Sequence, residues 1–157
     1  MNKQKSQFSK SDEQVVAELA SADGFTTRMK VGNHYLIADE PGIVGGNDSG
    51  PSPYEYLSAG LAACTAMTLQ MYARRKNWPL EMVRVHTRYG KNHAEDCERC
   101  EEETSKIDTF ERVLELQGPL SAVQRARLLD IANKCPVHRT LSGEIQVLTK
   151  LEETDAS

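Results

Sequence analysis

The sequence predicts an α+β domain: a β-meander, one long buried helix, and a second half of strands and helices. Three observations predict it. Strand-like runs cluster at 14–38, ahead of any helix. A helix signal over 53–76 follows, small or apolar on every side from Leu57 to Leu69. Two further strand runs and two helix starts come after it, without the strict βα alternation of a parallel α/β sheet.

The elements follow in chain order. Residues 14–20 and 25–31 are strand runs around a turn at Asp23-Gly24, and Gly32-Asn33 turns the chain into a third strand at His34–Ala38. Residues 41–53 hold four Gly and three Pro and form a loop. That loop ends in a helix start. Ser52 can cap, Pro53 fits the first helical position, and Glu55 completes a capping box. A helix apolar all round is expected to be buried all round. Its cationic end, Arg74-Arg75-Lys76, suits a helix C-terminus, and Asn77 and Pro79 stop it. Residues 80–90 and 107–117 are strands joined by an acidic connection. Ser121 and Gln124 make a second capping box for a helix reaching Lys134. Pro136 starts a short helix, and 143–150 is expected to close the fold as a strand. The expected organisation is one domain over 13–151, with polar tails at 1–12 and 152–157.

Composition narrows the function. With 39% hydrophobic and 27% charged residues, the chain has material for one core. A net charge of −4 argues against a nucleic-acid partner, which needs a basic face. No apolar run approaches the roughly 18 residues of a membrane span. The polar start MNKQKSQFSKSDEQ does not resemble a secretory signal. A cytoplasmic setting is expected. There, four cysteines point to catalysis, redox chemistry or metal binding rather than structural disulfides.

The Gly-rich loop matches neither nucleotide-binding spacing, and no Lys follows it, so it reads as a turn that positions the long helix. Cys64 sits mid-helix among Ala and Thr, where a thiol packs as a small hydrophobe. Cys135 precedes Pro136 and can cap the short helix, with Lys134, His138 and Arg139 nearby, so local sequence makes it the more acidic thiol. Cys97 and Cys100 form a CxxC among Glu95, Asp96, Glu98 and Glu101, whose charge disfavours thiolates. With His93 they offer three metal ligands where structural zinc wants four. Zinc, a reversible disulfide and an inert hairpin tip all stay open. His34 and His86 read as polar strand residues.

Several segments together resemble one family. They are Asp39-Glu40-Pro41, Gly45-Gly46, Gly50-Pro51-Ser52-Pro53-Tyr54-Glu55 and Leu61-Ala62-Ala63-Cys64-Thr65-Ala66-Met67-Thr68. Downstream comes Cys135-Pro136-Val137-His138-Arg139-Thr140-Leu141. The set is similar to the OsmC/Ohr proteins (osmotically inducible protein C and organic hydroperoxide resistance protein), over about residues 14–150.

The resemblance implies an OsmC-like fold, an intertwined homodimer, and an active site at the subunit interface. It implies thiol-dependent reduction of organic hydroperoxides in oxidative stress defence, with no cofactor required. Cys64 would attack the peroxide and Cys135 would resolve it as a disulfide, and a dithiol such as a lipoylated protein would restore the thiols. Peroxidases of this family carry a helper Arg after a Gly and a helper Glu. Here Gly24 is followed by Phe25 and Thr26, and Tyr54 takes the Glu position, leaving Arg28 and Glu55 as the candidates. The alternative is a non-enzymatic, redox-responsive binding or regulatory module that keeps the same cysteine pair.

Overall fold

The computed structural model describes residues 15–93 and 106–151. β1 (Val15–Glu18), β2 (Thr27–Val31) and β3 (His34–Ala38) form an antiparallel meander in that order. Its register runs Val15↔Val31 to Glu18↔Arg28 and Thr27↔Ala38 to Val31↔His34. The two-residue turn at Gly32-Asn33 puts Gly32 at φ +57°, a left-handed conformation that a tight hairpin turn needs. A single 3-10 turn, Ser21–Asp23, links β1 to β2.

The Gly-rich segment doubles back along the end of β3. Asp39 is buried and clamps it, accepting from Thr26 Oγ1 at 2.9 Å and from the Glu40 and Ser49 amides at 2.8 and 3.3 Å. A Cβ on Gly46 would lie 1.7 Å from the Glu40 carbonyl oxygen, so this backbone approach excludes any side chain. Gly46 and Gly50, whose added Cβ would meet backbone oxygen at 1.7 and 2.3 Å, thus serve packing.

α1 (Pro53–Arg75) begins as expected. Ser52 caps it, Glu55 returns the bond to the Ser52 amide at 2.7 Å, and Pro53 opens the first turn. The expectation of burial all round is not met within one chain. Only the stripe Leu61, Thr65, Leu69 and Ala73 is buried, while Leu57, Met67 and Met71 are exposed. The reason is coverage: a hairpin and two short helices pack on one side of α1 and leave the other open.

β4 (Met82–His93) and β5 (Lys106–Gln117) form one long antiparallel hairpin, in register from Met82↔Gln117 to His93↔Lys106. α2 (Ala122–Ala132) starts at its Ser121–Gln124 capping box, and α3 (Pro136–Leu141) follows at Pro136. The core joins Leu69, Ala73, Leu80, Leu128, Ile131 and Ala132. The expected strand at 143–150 is corrected: these residues have no ladder, and Ile145, Val147 and Leu148 are exposed. A strand exists only by pairing, and among the described residues neither sheet lends this segment an edge. Among the described residues, no helix is long and apolar enough to cross a membrane.

Candidate functional site

The site forms where α1, β5 and α3 meet. Cys135 is the N-cap of α3 and is fully enclosed. Its Sγ accepts the His138 amide at 3.3 Å. Pro136 dictates this turn, because it fixes the first helical φ and removes a donor the helix could not use. Thr65, on the buried stripe of α1, brings its Oγ1 to 3.7 Å from the same sulfur. The Cys64 side chain neighbours Cys135 and helps to lower its pKa. The chain thus brings together two thiols with 70 residues between them in sequence.

Electrostatically the two effects on Cys135 oppose. Burial works to raise its pKa. The His138 amide and the Thr65 hydroxyl at the sulfur, with the neighbouring Cys64 side chain and Val137 amide, work to lower it, and the result lies below an ordinary thiol. The local reading of Cys135 as an acidic thiol agrees, but the means differ. Backbone and side-chain donors carry the effect, and no contact from Lys134 or Arg139 is needed.

A half-buried cation completes the cluster. Arg112 on β5 donates from Nη1 to Thr65 Oγ1 at 2.8 Å and from Nη2 to Asn133 Oδ1 at 3.1 Å. Its Nη2 also lies 3.1 Å from His138 Nδ1. Thr65 has one hydroxyl proton to give, and the Leu61 carbonyl at 2.7 Å competes for it with the Cys135 sulfur. One guanidinium therefore ties α1, the α2–α3 junction and α3 together around the thiols.

Sequence reasoning missed Arg112, Thr65 and Asn133. Arg112 carried a signal. On β5 it alternates in phase with Phe110, Leu114 and Leu116, the half-buried face, so it is a lone charge in an apolar stripe. Thr65 shares the i, i+4 spacing of Leu61 and Leu69.

The other candidates lie elsewhere. Arg28 pairs with Asp23 at 2.8 Å on the exposed side of the meander. Glu55 is held in the α1 capping box. Cys97 and Cys100 lie outside the described residues, as does the side chain of His93. Among the described residues, no group of His, Cys, Asp or Glu is arranged to hold a metal ion.

The family model for OsmC-like protein matches residues 45–150, which include α1, the hairpin and both cysteines of the cluster. The chain belongs to the OsmC-like protein family. Solved structures agree on the fold. The OsmC-like protein from Mycoplasma pneumoniae is 19% identical, with a TM-score of 0.64, covering 82% of this chain and 86% of that one. An organic hydroperoxide resistance protein OsmC from Legionella pneumophila is 18% identical, with a TM-score of 0.60, covering 83% and 90%. The organic hydroperoxide resistance protein OhrB of Bacillus subtilis is 18% identical, with a TM-score of 0.56, covering 82% and 89%. No curated protein matches in sequence. Within this OsmC-like chain, Arg28 beside the meander turn pairs with Asp23, and the guanidinium that joins the thiol cluster is that of Arg112 on the hairpin.

Proposed function

We propose that this OsmC-like chain reduces organic hydroperoxides with Cys64 as the attacking thiol and Cys135 as the resolving one. The observation that carries the reading is the neighbouring Cys64 and Cys135 side chains, with Arg112 bonded to the Thr65 that reaches the Cys135 sulfur. The organic hydroperoxide resistance proteins of Legionella pneumophila and Bacillus subtilis share the fold and lend it support.

The two sulfurs differ in a way that supports these roles. Cys64 is partly exposed and open to a substrate, whereas Cys135 is enclosed. Cys135, rich in donors, is the sulfur favoured as thiolate, and it can accept the Cys64 proton. The Cys64 thiolate then attacks the terminal oxygen of the hydroperoxide and the O–O bond breaks. The leaving alkoxide takes the proton from Cys135 and departs as an alcohol. Cys64 is now a sulfenic acid and Cys135 again a thiolate. Cys135 attacks the Cys64 sulfur, the S–S bond forms, and hydroxide leaves as water on taking a proton. An external dithiol, for example on a lipoylated protein, reduces the disulfide and is itself oxidised.

The exposed residues Leu57, Met67 and Met71 of α1, with the exposed Ile145, Val147, Leu148 and Leu151, are the surfaces a second copy would cover in a homodimer. Steady-state consumption of a dithiol by an alkyl hydroperoxide tests the activity. Wild type should turn over, Cys64→Ser should not, and Cys97→Ser with Cys100→Ser should keep most of the rate. Wild type that forms the disulfide without turnover would instead fit a redox-responsive module.

A further inference from the structure

A cavity of about 450 Å³ lies beside the thiol cluster, and neither cysteine lines it. Leu61, Phe110, Leu114 and Leu129 give it apolar walls. Its polar lining includes Arg112, Asn133 and His138, the last two each bonded to Arg112. The volume and the mixed lining are those of a small-ligand site.

The hydrogen bonds within that trio fix what it can offer. A guanidinium only donates, so the contact at 3.1 Å makes His138 Nδ1 the acceptor and places the ring proton on Nε2. Asn133 turns its Oδ1 to Arg112, which leaves its amide N–H groups for other partners. Arg112 keeps N–H groups beyond the three it uses here, and among the described residues no carboxylate pairs with it. The trio therefore presents a positive charge and several free donors, while its ring acceptor is occupied. Asp108 also lines the cavity, but its carboxylate is engaged. Tyr89 Oη donates to it at 2.6 Å, and Lys91 Nζ lies at 4.0 Å.

We infer that this cavity binds an amphiphilic monocarboxylate, with the carboxylate on the Arg112–Asn133–His138 trio and an aliphatic chain along the leucine and phenylalanine walls. A carboxylate supplies the acceptors the trio lacks and the charge that Arg112 lacks, and charge-assisted bonds of this kind are the strong ones. The chain buries against side chains that present no polar group to satisfy. The inference goes beyond the proposed peroxide chemistry and does not require turnover.

Calorimetric titration of the reduced full chain with octanoate, and separately with octanamide, tests it. The two differ in charge and not in chain. Octanoate should bind at least about tenfold more tightly. Arg112→Gln should abolish that preference while octanamide still binds. Leu129→Glu, at an exposed position on the cavity wall, should repel octanoate without touching the core. Equal affinity of wild type for the two ligands overturns the inference, and this comparison holds even if Arg112→Gln fails to fold. An octanoate preference that survives both substitutions also overturns it, because the carboxylate would then lie elsewhere.

Discussion

Thr65 links Arg112 to Cys135: its hydroxyl takes a hydrogen bond from Arg112 at 2.8 Å and sits 3.7 Å from the Cys135 sulfur. The link makes a buried threonine part of the thiol site, and Thr65→Val tests it at nearly constant volume. The valine would leave an Arg112 N–H without its acceptor and deprive Cys135 of one donor. Unfolding stability should fall by about 1–3 kcal/mol. The pH at which Cys135 becomes alkylated by iodoacetamide in a Cys64→Ser background should rise. An unchanged alkylation profile would remove Thr65 from the site.

Oxidation should stabilise the chain. A disulfide between Cys64 and Cys135 closes a long loop, worth up to about 4 kcal/mol in unfolding free energy before any strain. Urea denaturation of the oxidised and reduced forms measures the difference, and an oxidised form that is no more stable would contradict the pairing.

Asp39 sets an acid limit on the fold. Burial works to raise its pKa, but the Thr26 hydroxyl and the Glu40 and Ser49 groups hold it below an ordinary aspartate. A carboxyl with a depressed folded pKa contributes stability that is fully present above its unfolded value. That stability is lost as pH falls through the folded value. Wild type should therefore lose stability on acidification below the usual aspartate range, and Asp39→Asn should be less stable at neutral pH and flatter on the acid side. Parallel acid limbs for the two proteins would assign the acid sensitivity to other groups.

Much of this architecture was legible in the sequence, because its signals are local. Ser52-Pro53 with Glu55, and Ser121 with Gln124, announce helix starts through bonds made within one turn, and both boxes form. The hairpin turn at Gly32-Asn33 is equally local. The failures depend on distant partners. Residues 143–150 have strand composition but no edge to join, and α1 has apolar faces that one chain does not cover. The site divides the same way. The place of Cys135 as the cap of α3 is legible from Pro136 alone, whereas the junction with Cys64 and Arg112 depends on tertiary packing. The helper positions expected from family resemblance went to residues with other work, Arg28 with Asp23 and Glu55 with Ser52.

The open faces of α1 lead to a prediction about assembly. If a second copy covers them, Met67→Glu should place a charge in that interface and convert a dimer to a monomer in light scattering at micromolar protein. Leu128→Ala, in the enclosed core, should instead cost about 2–5 kcal/mol of stability. A wild-type mass that is monomeric at every concentration would contradict the dimer.

The most direct test of the two-cysteine reaction is a single turnover read by mass. Fully reduced protein receives one equivalent of an alkyl hydroperoxide without any added thiol, and the products are digested under non-reducing conditions. The account predicts a loss of two hydrogens from the chain, a cross-linked peptide pair containing Cys64 and Cys135, and one equivalent of the alcohol. Recovery of unmodified Cys64 and Cys135 peptides with the peroxide unconsumed would contradict it, as would a cross-link confined to Cys97 and Cys100.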